Sequence, residues 1–320
     1  MYIELIDLMN FRNYERQLIR LDRGVNIFYG DNAQGPDSYV TFKSENNRVD
    51  SAKQYALPDS TAVIDGSDTG RYLFTVNLSS IQMADRITPV FHYTEEGEEK
   101  TANGEPYSVQ DYIDWALALE DDSCLTEKQK AIIPALADYG HYAQPYLSRQ
   151  NHWTIGTDFA EMTTFVKTFG SGDYADVTAA AETSAFSRTE TSNDVAAVNY
   201  RLSFGSQIKL SVRILPADGA SLSSITVDGE EISLNASGLP VTTDINGINT
   251  VIEKTGSYYM VSFSDTYANQ LANTHTIAAG DCAITVSPMS YVYAMLTGST
   301  AQNDLKDLMC ALYNYAQACR

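Results

Sequence analysis

The residues best suited to chemistry lie near the start of the chain, where Gly30, Asn32 and Gly35 have the spacing of a phosphate-binding loop. In the pattern G-x-x-x-x-G-K-[ST], backbone N–H groups surround the phosphates, the Lys contacts the β- and γ-phosphates, and the hydroxyl holds Mg²⁺. The Lys and Ser/Thr positions are Pro36 and Asp37 here. Proline lacks an N–H, and the aspartate places negative charge where phosphate would bind. We therefore expect a remnant of a phosphate loop that binds no cofactor.

The residues before this loop resemble one family closely. Residues 1–14 read MYIELIDLMNFRNY and residues 24–35 read GVNIFYGDNAQG. Together they resemble the N-terminus of the DNA replication and repair protein RecF, over about a tenth of the chain. The resemblance implies a pair of antiparallel strands before the phosphate loop, a helix after it, and ATP-dependent DNA binding.

This resemblance ends at Pro36. Residues 39–43 read YVTFK and alternate like a strand, where the family continues as a helix. The acidic ATPase motif and the signature motif of the family have no counterpart further along. We interpret residues 1–36 as a RecF-like fragment, a β-hairpin with a broken phosphate loop, fused or misjoined to a different body, and we expect the body to fold without it. A degenerate RecF-like DNA repair ATPase that still binds ATP or DNA is the alternative.

The charge of the chain argues against nucleic acid as a partner. The formal net charge is −20, and the first 35 residues hold four basic and five acidic side chains, which leaves −19 for the body. Phosphate backbones are bound by basic surfaces that release counterions. We therefore predict no nucleic-acid binding. No apolar run reaches the length of a transmembrane helix, so we also predict no membrane span.

The body matches itself at a separation of about 180 residues. Four short blocks recur in the same order, with residues 70–74, 82–88, 108–113 and 135–140 corresponding to 256–260, 270–276, 287–292 and 311–316. Each copy reads as β-strands followed by a helical pair. In the second copy, residues 207–214 alternate with period 2 and predict a strand, and residues 225–232 predict a hairpin with an Asp-Gly turn. We predict an α+β fold, mainly β, with two pseudo-repeated, sandwich-like units at 37–150 and 198–320, each closed by a helical hairpin. Residues 151–197 are predicted to connect them.

Serines mark the start of the first helix in each copy. Ser108 and Ser287 are predicted N-caps, with Asp111 at the third helical position of the first copy. The second helix of each pair has apolar residues at helical spacing, among them Tyr139 and Tyr315. At this spacing we expect both tyrosine rings to pack in the core rather than to form a platform for a ligand.

Other residue patterns that would indicate catalysis or metal binding are missing from the sequence. The nucleophile motif G-x-S-x-G is absent, and the histidines are too far apart for metal-ligand spacing. These are His92, His141, His152 and His275. We predict a protein that is not an enzyme, with no catalytic and no metal-binding residues. Abundant tyrosine, together with Trp115 and Trp153, would suit stacking on sugar rings, so a glycan-binding domain is a second alternative.

The sequence of the body also resembles a known kind of module. Residues 139–144 read YGHYAQ and residues 311–315 read ALYNY. These phrases resemble a module near the C-termini of large extracellular and cell-surface proteins of gut Firmicutes, over roughly residues 39–320. The resemblance implies a non-catalytic, adhesion-type structural or interaction module, exported in its relatives, with a protein or a glycan at a cell surface as its partner.

The two resemblances imply different cellular locations. The body indicates the extracellular space or the cell surface, whereas a genuine RecF-like start would indicate the cytoplasm. Glu4 and Asp7 stand where a signal peptide needs an uninterrupted apolar core, so an export signal is not evident. The cysteines lack C-x-x-C spacing, which favours buried thiols and leaves one bridge open for an exported chain. They are Cys124, Cys282, Cys310 and Cys319.

Overall fold

The computed structural model describes the chain in twelve stretches, with gaps between them. These are residues 5–9, 16–20, 25–28, 39–56, 61–62, 72–76, 78–95, 97–204, 208–241, 244–245, 248–299 and 301–320. The chain divides into two compact units, Met1–Lys167 (unit 1) and Thr168–Arg320 (unit 2). Both combine antiparallel sheets with helices, which confirms the predicted α+β, mainly β class.

The strands of unit 1 form antiparallel sheets with the orders β1-β2, β3-β7-β6 and β5-β4-β8-β9. Their bounds are β1 Leu5–Met9, β2 Arg16–Arg20, β3 Val25–Phe28, β4 Tyr39–Ser44, β5 Tyr55–Ala56, β6 Thr61–Ala62, β7 Tyr72–Val76, β8 Ile87–Glu95 and β9 Glu98–Asn103. The strand predicted at 39–43 is thus confirmed as β4.

The RecF-like residues form two separate pieces of sheet. Strands β1 and β2 pair antiparallel as a hairpin, as predicted. Strand β3 instead pairs with β7, with Val25 opposite Val76. This pairing gives residues 25–28 a place in a sheet of unit 1. The expectation that residues 1–36 are dispensable for the fold is therefore revised, because their removal would take away one strand of that sheet.

Alternating apolar residues build the core of unit 1. Val40 and Phe42 of β4 are fully buried, as are Ile87 and, nearly, Phe91 of the neighbouring β8. Side chains at every second position of a strand point to one face, so this alternation buries one side of the sheet. The edge strand β9 is almost entirely exposed and begins with Glu98 and Glu99, charges of the kind that discourage edge-to-edge pairing.

Two helices end unit 1, α1 (Val109–Leu117) and α2 (Glu127–Asn151). Ser108 is the predicted N-cap of α1, and its Oγ accepts the N–H of Asp111 at 2.9 Å while the Asp111 carboxylate accepts the N–H of Ser108. This reciprocal pair satisfies two N–H groups that the first turn of a helix leaves without an intrahelical acceptor. His152, which directly follows α2 and caps its C-terminus, has the left-handed conformation.

The strands of unit 2 form two antiparallel sheets with the orders β10-β19-β18-β13-β14 and β11-β12-β17-β16-β15. Their bounds are β10 Ser187–Arg188, β11 Val195–Phe204, β12 Ile208–Pro216, β13 Ser224–Val227, β14 Glu230–Ser233, β15 Asp244–Ile245, β16 Ile248–Thr255, β17 Tyr258–Thr266, β18 His275–Ala279 and β19 Cys282–Val286. The predicted Asp-Gly hairpin is confirmed, with positive φ at Asp228 and Gly229 between β13 and β14.

The second unit also contains α3 (Ser171–Glu182), α4 (Pro288–Thr297) and α5 (Asn303–Ala318). The predicted N-cap Ser287 is confirmed, and its Oγ accepts the N–H of Ser290 at 3.2 Å. Helix α3 falls within the segment predicted to connect the two copies. Its Val177 and Ala181 are buried, so one side of this helix packs against the rest of unit 2.

Candidate functional site

The phosphate-loop remnant cannot be placed, because Gly30, Asn32 and Gly35 lie outside the described residues, as do Pro36 and Asp37. The nearest described strand before the loop is β3, which ends at Phe28. The prediction that this loop binds no cofactor therefore stays a prediction. The functional groups that the structure does bring together lie elsewhere in the two units.

In unit 1 a short turn lies between β7 and β8 and contacts the start of the first helix. A 3₁₀ segment, Ser80–Gln82, begins after Ser79, whose N–H donates to Oε1 of Gln82 at 2.8 Å. The carbonyl of Met83 then accepts the N–H of Gln110, in the first turn of α1, at 2.9 Å. The turn and the helix start are therefore fixed to each other through the backbone.

An ion-pair cluster extends from this turn. Arg86 donates from Nε to Oδ1 of Asp158 at 2.8 Å, and its Nη2 lies 3.4 Å from Asp111. The other Asp158 oxygen accepts the hydroxyl of the helix cap Ser108 at 2.8 Å. The hydrogen bond to Asp158, followed by the charge of Asp111, raises the pKa of Arg86 above its ordinary value. The cluster thus fastens the segment after α2 to the start of α1.

A second ion pair lies beneath the turn. Asp85 is completely buried, accepts the side-chain N–H of Asn46 at 2.8 Å, and lies 3.4 Å from Nη1 of Arg48. Burial raises the pKa of Asp85, and the hydrogen bond from Asn46 and the charge of Arg48 oppose that rise. The Arg48 guanidinium also lies 5.9 Å from the ring centroid of Trp153. Buried pairs of this kind hold one arrangement of loops, because either charge alone would be costly.

Sequence reasoning missed both ion pairs. Arg86 and Asp158 are 72 residues apart, and Asp85 is far along the chain from its ion-pair partner Arg48 and is 39 residues from Asn46, which donates a hydrogen bond to it. Neither pairing belongs to a motif with fixed spacing, so no local pattern could have identified it. The candidate site of unit 1 is thus a structural polar network, and its charges are already engaged with one another.

The four histidines considered as metal ligands lie apart in the structure, as they do in the sequence. His275 donates through Nδ1 to the Asp228 carboxylate at 2.7 Å and stacks on Phe263 at 3.8 Å between ring centroids. His92 stacks on Tyr39 at 4.3 Å. His141 lies in α2, and His152 directly follows it. Among the described residues, no group of three His, Cys, Asp or Glu side chains is arranged to hold a metal ion.

The aromatic residues singled out in the sequence fall into two classes. Tyr139 of α2 and Tyr315 of α5 are 4% and 3% exposed, so both pack inside their units, as expected. Burial raises the pKa of Tyr139 to about 12. Trp115 and Trp153, in contrast, are 36% and 42% exposed, which leaves part of each ring open to contact.

Comparison with known proteins bears on the N-terminal residues. Over 35 residues the chain is 57% identical to the DNA replication and repair protein RecF of Clostridium novyi (strain NT). The matched residues cover 11% of this chain and 10% of that protein. Over 40 residues it is 50% identical to RecF of Clostridium perfringens (strain 13 / Type A), which covers 12% of this chain and 11% of the relative. These similarities support the RecF resemblance of the fragment.

The chain spans about a tenth of the length of the curated relatives that it matches. No protein-family model matches the chain. Within the part of the chain that the structure describes, no helix combines the length and the apolar character needed to cross a membrane. The four cysteines, all of them in described residues, are thiols, and Cys282 and Cys310 are buried.

Proposed function

We propose that this chain is a non-catalytic interaction module of a bacterial surface or extracellular protein, made of two related units and carrying a RecF-like fragment that has lost its nucleotide site. The observation that carries the proposal is a matched set of hydrogen bonds within one 3₁₀ turn of each unit and between that turn and the first helix of the pair. These bonds occur at equivalent positions of the blocks that recur in the sequence.

The match extends to individual donors and acceptors. In unit 2 the N–H of Tyr267 donates to Oε1 of Gln270 at 3.0 Å, as that of Ser79 does to Gln82 in unit 1. The carbonyl of Leu271 accepts the N–H of Met289 at 3.0 Å, which corresponds to the bond from Gln110 to Met83. A capping box then begins the helix in both units. Such agreement is expected of a duplicated module.

The differences between the units also support a binding role over a catalytic one. The charged Asp85, Arg86 and Asp111 of unit 1 correspond by their place in the recurring blocks to Asn273, Thr274 and Ser290 in unit 2. In unit 1 these charges hold the turn and the neighbouring segments together. These charged side chains form contacts within the fold of unit 1 and are replaced by uncharged residues in unit 2. Catalytic side chains would instead have to face a site that is open to substrate.

The resemblance of the body to modules of gut Firmicutes surface proteins supports the surface location, and the exposed Trp115 and Trp153 suit a partner that stacks on aromatic rings. A degenerate RecF-like repair protein is the second candidate, favoured by the 57% identity over 35 residues. The replacement of the phosphate-loop Lys and Ser/Thr by Pro36 and Asp37, and the charge of −20, weigh against it.

Binding of the fluorescently labelled full chain to surfaces tests the proposal. Purified Gram-positive cell walls, mucin and immobilised extracellular-matrix proteins are the probes, with albumin-coated surface and heat-unfolded chain as controls. We expect saturable binding to at least one probe by the folded chain alone. Absence of binding to all of them, or equal binding by the unfolded chain, would count against an interaction module.

A further inference from the structure

One face of a sheet in unit 2 collects basic side chains in a strongly acidic chain. In β12 the buried Leu210, Val212 and Ile214 alternate with Lys209, Ser211 and Arg213, so the latter three share the opposite, outer face. On the neighbouring β11, Arg201 lies directly across from Ser211. Arg201, Lys209 and Arg213, all exposed, are here called the basic face.

The three cations lie close together. Lys209 and Arg213 flank Ser211 on the same strand, and Arg201 faces Ser211 from the next strand. Diagonal neighbours in an antiparallel pair are about 7–8 Å apart, so Arg201 neighbours both Lys209 and Arg213, and the three cations line one stretch of this face. Ser211 itself is buried, with its Oγ 3.3 Å from the Oγ of Ser262 on the other neighbouring strand.

Their positive charge is not neutralised by the rest of the described structure. Arg201, Lys209 and Arg213 form no ion pair with any residue that the structure describes. Glu253 is on the same face, but Met260 lies between it and Arg213 in the register. Glu253 is therefore two strand spacings, about 10 Å, from Arg213. This distance is roughly one Debye length at 0.1 M salt.

One of the cations is held in place by an aromatic ring. The Cζ atom of Arg213 lies 3.5 Å from the ring centroid of Tyr258. Such stacking restricts the guanidinium without using its N–H donors. Arg213 therefore keeps its planar set of donors for an acceptor outside the protein, at less cost in side-chain entropy than a freely moving residue.

We infer that the basic face binds an anionic polysaccharide through its carboxylate or sulfate groups. Guanidinium groups match such oxygens in geometry and charge, the exposed sheet surface suits an extended chain of sugars, and the Tyr258 ring adds an apolar contact. The chain charge of −20 opposes nucleic acid and acidic glycans alike, so DNA is the competing ligand that the test below has to separate. This inference rests on the proposed function and names the ligand class of unit 2.

Fluorescence anisotropy with labelled oligosaccharides tests the inference on the full chain. The probes are heparin for sulfate groups and oligogalacturonate for carboxylates, with neutral dextran and single-stranded DNA of similar length for comparison. A triple variant, Arg201→Gln, Lys209→Gln and Arg213→Gln, removes the basic face. Lys43→Gln, Lys128→Gln and Arg320→Gln remove the same charge from other exposed positions and form the matched control.

We expect heparin or oligogalacturonate to bind with an affinity that falls with salt, and dextran to be inactive. The triple variant should lose at least about tenfold in affinity, which is about 1.4 kcal/mol, while the control variant stays within about twofold of the parent. Thermal unfolding of both variants establishes that they are folded, and each single Gln variant of the basic face should show a partial loss.

Three results would overturn the inference: no binding to either acidic glycan, equal losses in both triple variants, or DNA bound as tightly as heparin. Binding to cell walls, mucin or matrix proteins is measured in parallel with the same variants. If that binding persists while the acidic glycans fail, only the ligand assignment is wrong. If both are absent, the interaction-module proposal fails with it.

Discussion

Arg86 and Asp158, 72 residues apart, are joined by a hydrogen bond of 2.8 Å from Nε to Oδ1. Asp158 is nearly buried, and its second oxygen accepts the hydroxyl of Ser108. One carboxylate therefore connects the turn after the 3₁₀ segment, the cap of α1 and the segment that follows α2. We therefore expect this cluster to stabilise unit 1, and substitution tests that expectation.

Replacing Asp158 by Ala should destabilise unit 1. The change leaves the buried Ser108 hydroxyl and the Arg86 guanidinium without this acceptor, and loss of a buried partner costs about 1–3 kcal/mol. Urea unfolding of the variant measures the loss. Glu120→Ala, at an exposed position, is the matched control and should change the free energy of unfolding by less than about 0.5 kcal/mol. Equal stability of the two variants would contradict the account.

Alanine substitutions at Gly156 and Gly172 should change the stability of the protein in opposite directions. A Cβ on Gly156 would lie 2.1 Å from the carbonyl oxygen of Ala84, whereas one on Gly172, in the first turn of α3, meets nothing within 4 Å. We expect Gly156→Ala to cost about 1–3 kcal/mol through overpacking and Gly172→Ala to stabilise by about 0.5–1 kcal/mol. Thermal unfolding of both variants measures the difference. A neutral Gly156→Ala would show that the segment does not pack closely on the turn.

Two N-terminal deletions should differ in their effect. Deleting residues 1–24 removes β1 and β2, which pair with each other in a sheet of their own among the described strands. Deleting residues 1–36 also removes β3, the partner of β7. We expect the shorter deletion to change Tm by less than about 2 °C and the longer one to lower it by about 4 °C or more, the effect of about 1–2 kcal/mol. Equal Tm values would mean that β3 adds nothing to unit 1.

The sequence predicted features that depend on neighbouring residues, but not contacts between residues far apart in the chain. Ser108 and Ser287 were identified as helix caps, and Asp228-Gly229 as a hairpin turn, because these signals lie within a few residues of the element that they define. The role of Asp158 could not be predicted, since its partners are brought to it by the tertiary fold. Local rules carry no information about such distant pairs.

The basic face was missed for a different reason. The net charge of the body, −19, is a sum over all of its residues. It therefore does not show that positive charge is concentrated at one place. A signal was available in the alternation of Lys209, Ser211 and Arg213 along one predicted strand, which puts two cations on the same face. Arg201 could be added only once the register of β11 and β12 was known.

The stability of unit 1 should fall on mild acidification because of His141. Its imidazole stacks on Phe159 at 5.6 Å, and burial lowers its pKa from the ordinary 6.5. The unfolded chain therefore takes up the proton first, so this contribution to stability is complete above pH 6.5 and is lost as the pH falls through the lower folded pKa.

Thermal unfolding between pH 7.5 and 5.5 measures this contribution. His141→Phe keeps a ring against Phe159 and should show a smaller loss of Tm over this range than the parent chain. His152→Asn removes an exposed imidazole at a left-handed position, which asparagine tolerates, and serves as the control with the parent's slope. An unchanged slope in His141→Phe would contradict the prediction.

Calorimetric titration of the full chain with ATP and Mg²⁺ tests most directly whether this protein acts by binding partners rather than by nucleotide chemistry. Pro36 and Asp37 stand where a phosphate loop needs Lys and Ser/Thr, so we predict no heat of binding beyond dilution, with or without Mg²⁺. A double variant, Pro36→Lys and Asp37→Thr, restores the Lys and Thr of the phosphate-loop pattern and provides the matched comparison. Stoichiometric, Mg²⁺-dependent binding of ATP by the unaltered chain would contradict the account and favour a RecF-like ATPase.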